Sequence, residues 1–450
     1  MNFYFFIIPL VFACLVMLWQ GRWRMVTPAG YFGYTVILYY LFKMVWNYVF
    51  NVDHLFDLKW EDFVFPFVIL SCAMLLVSTL TARSSKRISS IFINPQKLKV
   101  VDDDMHLGWI FIILFLTLPL ATILLGYRVL GEWPWSAPVL FRAFIQSGGM
   151  MYIYIVNMML VQIAIVVAVK SVFLNKKAPP AWFFIGFPIS LLYALNTGFT
   201  SSVLMIFFPA VMYLIFRKGW RLELILPILL PILIFYTFAH SLYKTGQSES
   251  MSSAVLTMKD NPDWDYGFFN RLDYPEQYVR ATNFTLNDAE ADRGNILGAI
   301  VQPIPRAFWQ DKPLTYSSYM TKSLTPQNFY AGITANFGGL TEMMNAAGVL
   351  GIFLAIILWT LLFMFGNKIY VRACCSDWWF LFYTTVVLQI IGSSLIVAFF
   401  NDLGTFNTII NYILIIVFTG KIWPRFRIKE QEHNGALSVQ LRPNVPIKTL

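Results

Sequence analysis

Charge is the scarcest property of this chain. Asp, Glu, Lys and Arg make up 13% of its 450 residues while hydrophobic residues make up 58%, and mean hydropathy is +0.62. A soluble globular domain carries about 25% charged residues, so that class is excluded. Histidine is equally sparse. His54, His106, His240 and His433 are scattered, and none pairs with Cys or a carboxylate at metal-ligand spacing; no zinc site and no cofactor is expected. Cysteine offers no staple: Cys14 and Cys72 fall in apolar runs, Cys374 and Cys375 in a short polar loop. Walker, dinucleotide-binding and Ser-His-Asp patterns are missing, which argues against nucleotide-driven chemistry. Asp102-Asp103-Asp104 sits beside Lys97 and Lys99 and reads as a solvated helix start in preference to a metal site. No basic stretch precedes the first apolar run, so that run reads as an uncleaved helix and not a signal peptide.

What the chain has in abundance is long apolar runs. A helix crossing the hydrocarbon needs about 20 mostly apolar residues. Eleven runs qualify: 2–19, 29–50, 63–81, 107–126, 149–173, 181–197, 200–216, 224–242, 346–366, 378–400 and 402–420. Lipid offers the backbone no hydrogen-bond partners, so each must be a helix. The expected fold is an all-α polytopic membrane protein with about 11 transmembrane helices. It would form a single transmembrane domain over 1–429, followed by a polar, disordered tail over 430–450. Aromatic residues, at 18%, supply the headgroup belts.

Lys and Arg set the orientation. They collect in alternate loops: Arg22 and Arg24; Arg83, Lys86, Arg87, Lys97 and Lys99; Lys170, Lys176 and Lys177; Arg217, Lys218 and Arg221; Lys368 and Arg372; and the tail from Lys421. On the opposite side acids outnumber bases. The positive-inside rule then places the N-terminus outside and the C-terminus in the cytoplasm. The net charge of +9 is a topological signal, and no nucleic-acid partner is expected.

One polar insertion, 243–345, interrupts the apolar pattern on the outer side. It is too long for a structureless connection. Asp273-Tyr-Pro-Glu-Gln-Tyr-Val-Arg280 and Asp288-Ala-Glu-Ala-Asp-Arg293 start with acids and end with Arg, so short helices are expected against the outer membrane surface. Trp264, Phe268, Phe269, Phe308 and Trp309 would anchor them. Arg271, Arg280, Arg293, Arg306, Lys312 and Lys322 stand among Asp263, Asp265, Asp273, Glu276, Asp288, Asp292 and Asp311. The plain reading is a loop of weak surface ion pairs. The sharper one is an anionic-lipid site, because the guanidinium fork matches phosphate oxygens and keeps its charge when desolvated. Arg306, between a Pro and a Phe-Trp pair, is the first choice, and Arg271, with Asp273 two residues on, the second. Glu342, at the outer mouth of the ninth run, is either a helix-start acid facing the macrodipole or a base with a raised pKa. His240, at the outer end of the eighth run, is a second candidate base. Lys43, in the outer half of the second run with Asn47 one turn on, either snorkels to the surface or lines a phosphate-facing cavity.

Ile304-Pro-Arg-Ala-Phe-Trp-Gln-Asp-Lys-Pro313, followed by Gly339-x-x-Glu342-x-x-Asn345-x-x-Gly348 and preceded by Arg271-Leu-Asp-Tyr274, resembles the O-antigen polymerase (Wzy-type) family of bacterial repeat-unit polymerases. The motif covers only the stretch from the insertion to the ninth run; the rest of the likeness is architectural. One departure is the turn Asn196-Thr-Gly-Phe-Thr-Ser-Ser, which lacks the Arg that often follows the Gly in the family; Lys43 or a loop Arg would replace it. The resemblance implies a GT-C-like enzyme of the bacterial inner membrane, working on the periplasmic face. It would transfer a growing glycan from undecaprenyl pyrophosphate onto a lipid-linked repeat unit, without nucleotide sugar or metal. A chain-length regulator is an expected partner. Arg271 and Arg306, supported by Lys312, would hold the donor pyrophosphate, with Arg280, Arg293, Lys43 and Asp273 lining the same site; Glu342 or His240 would deprotonate the acceptor hydroxyl. Two rivals use similar features: an O-antigen ligase, with the same donor and lipid A core as acceptor, and a lipid-linked oligosaccharide flippase. A transporter should show repeated halves or charges at the midplane, and neither is visible in the sequence.

Overall fold

The computed structural model describes residues 2–24, 26–49, 58–91, 107–146, 150–197, 200–218, 274–287, 309, 311, 313–326, 337–396 and 402–419. Every regular element among them is helical. In chain order they are α1 (Asn2–Gln20), α2 (Pro28–Val36), α3 (Phe42–Val49), α4 (Val64–Ile91), α5 (Trp109–Leu130), α6 (Pro138–Gln146), α7 (Met150–Val169), α8 (Ala181–Asn196) and α9 (Thr200–Lys218). There follow α10 (Tyr274–Asn287), α11 (Tyr316–Leu324), α12 (Gly339–Ala347), α13 (Leu350–Ala373), α14 (Asp377–Phe382), α15 (Leu388–Ile396) and α16 (Asp402–Thr419). Wide π turns at Ile37–Leu41, Lys170–Leu174 and Tyr383–Val387 continue α2 into α3, extend α7, and join α14 to α15.

Among the described residues, 6 helical stretches are long and apolar enough to cross a bilayer: Phe3–Gln20, Trp60–Ser85, Trp109–Leu130, Met150–Leu174, Leu350–Ala373 and Asp377–Ile396. The chain is therefore an all-α polytopic membrane protein. Each of these stretches falls on an expected apolar run. The run 181–197 forms the shorter apolar helix α8, and the run 200–216 falls on α9, where Phe208–Arg217 is an apolar stretch among the described residues. The run 224–242 lies outside the described residues.

The chain divides into two compact units whose segments alternate along the sequence. The first comprises Met1–Ile93, Phe269–Val371 and Thr385–Ile409; the second comprises Asn94–Phe268, Arg372–Thr384 and Ile410–Leu450. In the first, α1 packs along α4. Lipid-facing helices gain little from apolar contact alone, so polar side chains fix their register. At one end of the pair Gln20 Nε2 donates to Ser78 O (3.0 Å) and Thr81 Oγ1 (2.9 Å), and Ser78 Oγ donates to Gln20 Oε1 (2.8 Å). At the other end, Phe3 stacks on Tyr48 at 4.0 Å and meets Trp60 edge-on.

The second unit is tied at one point by charge. Asp377 opens α14 with its side chain 4% exposed. Lys170 Nζ lies 2.9 Å from its Oδ2 and Arg217 Nη2 2.9 Å from its Oδ1, and Tyr213 donates its hydroxyl to the same Oδ1 at 2.9 Å. Arg217 also donates to the carbonyl of Cys374. One carboxylate thus joins the π turn after α7, the end of α9 and the start of α14. Arg372 covers the Trp379 ring at 4.7 Å. Nearby, burial pushes the Cys375 thiol up to about 11 while Arg217 pulls it down, which leaves it protonated and unreactive at neutral pH.

Removing one member of a buried ion cluster leaves the others uncompensated, at a cost of about 3–5 kcal/mol. Asp377→Asn should therefore lower the unfolding temperature of the detergent-solubilised protein sharply, whereas Asp104→Asn should not. An Asp377→Asn variant that melts with the wild type would show that the cluster contributes nothing net.

Candidate functional site

The first unit gathers polar residues that lie far apart in sequence. The π turn at Ile37–Leu41 adds a residue to the helical repeat; such bulges recur at functional sites. Immediately after it, α3 carries Lys43 and Asn47 on one face. Both are buried, Lys43 at 3% exposure and Asn47 at 1%. Lys43 is held inside and does not extend to the surface.

Helix α10 brings the polar insertion to this face. The sequence predicts a helix over this segment lying on the membrane surface. The helix is there, but Pro275, Glu276, Tyr278, Val279, Ala281 and Thr282 are buried in protein. The helix packs on α4, α12 and the π turn. Tyr278 explains the docking: its ring meets Tyr40 and Phe67 edge-on at 5.9 and 5.3 Å, and its hydroxyl donates to Pro66 O at 3.0 Å. Glu276, only 1% exposed, then faces α3, and Asn47 Nδ2 donates to its Oε1 at 3.0 Å. Arg280 follows one turn later on α10. It is half-buried, and desolvation lowers its pKa from the ordinary arginine value.

Helix α12 packs against α10. Gly338 precedes it at φ +89°, where a Cβ would come within 3.0 Å of Leu395 O. Gly348 ends it at φ +61° and donates its N–H to Met344 O at 2.7 Å. Only glycine takes such angles without strain, so the glycines of the 338–348 motif set the length and entry of this helix. Thr341, Glu342 and Asn345 are all buried, Glu342 at 2%. Tyr316, on α11, donates to Thr341 Oγ1 at 2.7 Å. Burial raises the Tyr316 pKa, the Thr341 hydrogen bond opposes that, and the Glu342 charge adds to it. The Glu342 carboxylate therefore lies within electrostatic reach of the phenol.

Of the residues singled out from sequence, Glu342, Lys43 and Arg280 lie in this unit. His240, Arg271, Asp273, Arg293, Arg306 and Lys312 lie outside the described residues. So do the expected anchors Trp264, Phe268, Phe269 and Phe308, while Trp309 is exposed. Sequence reasoning missed Glu276 as a site residue and left Asn47 as a neighbour of Lys43. A signal existed: Glu276 shares a helical face with Val279 and falls within the buried stripe of α10. Among the described residues no three His, Cys, Asp or Glu side chains converge on a possible metal position. The chain matches no protein-family model, no curated protein and no solved structure.

Chemically, the unit offers cations and carboxylates withdrawn from water, where electrostatic contacts are stronger than at a surface. Two measurements check the arrangement. Asn47→Leu removes the donor to a buried carboxylate and should cost about 1–3 kcal/mol; in a cycle with Glu276→Gln the two effects should be non-additive in thermal unfolding, and strict additivity would dissolve the pair. Tyr278 and Tyr316 both have pKa values raised first by burial. A raised folded value leaves stability intact below the free-tyrosine pKa of about 10 and erodes it as pH rises beyond that. Tyr316→Phe should flatten this alkaline decline, and a decline of unchanged slope would remove Tyr316 as its source.

Proposed function

We propose that the chain is a periplasmic-face glycosyltransferase that polymerises lipid-linked oligosaccharide repeat units, with the buried polar face of α3, α10 and α12 forming part of its active site. The observation that carries this reading is the Asn47–Glu276 hydrogen bond. It joins the outer half of the second apolar run to the large polar insertion, beside Lys43 and next to the helix bearing Glu342. Intramembrane ionisable residues that face the protein interior are functional by default.

The proposed topology has eleven spans, with the N-terminus outside and the C-terminus in the cytoplasm of a bacterial inner membrane. Two groupings support it. Phe3, Tyr48 and Trp60, all expected outside, pack together. Lys170, Arg217 and Arg372, all expected at the cytoplasmic boundary, gather in the second unit around the start of α14.

In the proposed reaction an acceptor sugar hydroxyl attacks the anomeric carbon of the donor glycan. A new C–O bond forms, the bond from that carbon to the pyrophosphate oxygen breaks, and undecaprenyl pyrophosphate leaves with the electron pair. Glu342 takes the hydroxyl proton. Lys43, Arg280 and the loop cations Arg271, Arg306 and Lys312 stabilise charge on the departing pyrophosphate, while Glu276 and Asn47 line the site beside them. His240 remains the alternative base, and Arg293 and Asp273 the outer rim. No nucleotide sugar or metal enters the scheme.

Purified protein given only undecaprenyl-pyrophosphate-linked repeat units should generate a ladder of lengthening glycans. Glu342→Gln should slow it by about 10²–10⁴ and Arg306→Ala by about 10²–10³, both with wild-type unfolding temperatures. Unextended repeat units from folded wild type would sink the polymerase, and transfer onto added lipid A core in place of the ladder would replace it with a ligase.

A further inference from the structure

Three aromatic rings form a pile at the C-terminal end of α5. Tyr127 and Trp133 stack with centroids 4.2 Å apart and planes within 19°; Trp133 and Trp135 stack at 4.8 Å and 7°. All three are open to the surroundings, Tyr127 at 40%, Trp133 at 36% and Trp135 at 49% exposure. The pile is also held firmly. Gly131 caps α5 by donating its N–H to Tyr127 O at 2.9 Å, and the N–H groups of Ser136 and Ala137 converge on Trp133 O at 3.0 and 3.1 Å. The Ser136 hydroxyl joins them at 2.9 Å. Between the two indoles Pro134, buried, fixes the backbone.

Burial does not explain so much ordered aromatic surface. Headgroup-belt residues place ring faces among lipid and polar tips toward water. Here the rings use faces on one another, which leaves the outer faces of the pile as a flat apolar platform. Exposed Arg128 and Glu132 flank it in the chain. A flat apolar face whose chain neighbours are an exposed carboxylate acceptor and an exposed guanidinium donor is the counterpart of a pyranose ring, whose C–H face is apolar and whose edge carries hydroxyls. A platform rigid before its ligand arrives loses little entropy on binding.

We infer that the Tyr127–Trp133–Trp135 pile is a saccharide-docking surface that holds glycan of the lipid-linked substrate. The inference rests on the glycosyltransferase reading and on its outward orientation for the end of α5.

The test uses the full chain in phosphatidylethanolamine–phosphatidylglycerol nanodiscs and a panel of lipid-free hexose and N-acetylhexosamine oligosaccharides, which carry neither pyrophosphate nor lipid. At least one should bind saturably. Trp135→Ala should weaken that binding about tenfold, Trp135→Phe should retain most of it, and Trp109→Ala, which removes an exposed indole at the other end of α5, should bind as wild type does. Unfolding temperature serves as the folding control, and the exposed position of Trp135 makes a folded variant the expected result. Binding of no glycan, or equal binding by wild type and Trp135→Ala, overturns the docking surface; quenching confined to headgroup-labelled lipid would then assign the rings to the membrane belt. Trp135-dependent binding without a polymer ladder keeps the docking surface and removes the polymerase, whereas a ladder without such binding does the reverse.

Discussion

A charge taken out of water must find an opposite charge or hydrogen-bonding partners inside the protein, and in a membrane protein this requirement organises nearly everything else. The two units answer it differently. In the second, one carboxylate, Asp377, collects Lys170, Arg217 and the Tyr213 hydroxyl and so fixes three helix ends to one another. In the first, Lys43, Asn47, Glu276, Glu342 and Asn345 are all nearly inaccessible and are contributed by three helices. The Asp377 arrangement is a fastener. The buried polar groups of the first unit are the ones the proposed function draws on.

Aromatic packing and glycine geometry place those groups where they are. Tyr278 wedges α10 between Tyr40 and Phe67 and anchors it to the carbonyl of Pro66. With the helix so placed, Glu276 has only one direction to face. The left-handed angles at Gly338 and Gly348 confine α12 to a short helix, which presents Glu342 in its first turn. Nearly all of this positioning is done by apolar or uncharged groups, and the charges follow from it. The proposed transferase chemistry would need this kind of positioning, because preorganised groups must not relax as charge develops.

Much of the fold was legible in the sequence because lipid leaves the backbone one solution. The apolar runs that are described became helices, and α10 was foreshadowed by its acid-first, Arg-last pattern. Its environment was not. A polar helix outside the spans reads as a surface helix, and only the stripe containing Glu276 and Val279 hints otherwise. Lys43 shows the same limit: its two readings, surface-seeking and cavity-lining, have identical sequence neighbours and differ only in what other elements place around them. Asp377 went unremarked because a single acid at a helix start is ordinary until two cations from the ends of distant helices are brought to it.

The sequence by itself determined that this chain is helical and embedded in a membrane, since hydropathy acts over local runs and unsatisfied backbone groups in lipid forbid other answers. It also concentrated polar chemistry in one insertion. Tertiary structure alone decided which of those polar residues are buried together. Asn47 and Glu276 are separated by 229 positions, and no local rule of period, propensity or charge couples them; their hydrogen bond exists because aromatic packing docks α10 on α4 and on the π turn that leads into α3, and a buried carboxylate then takes the donor within reach.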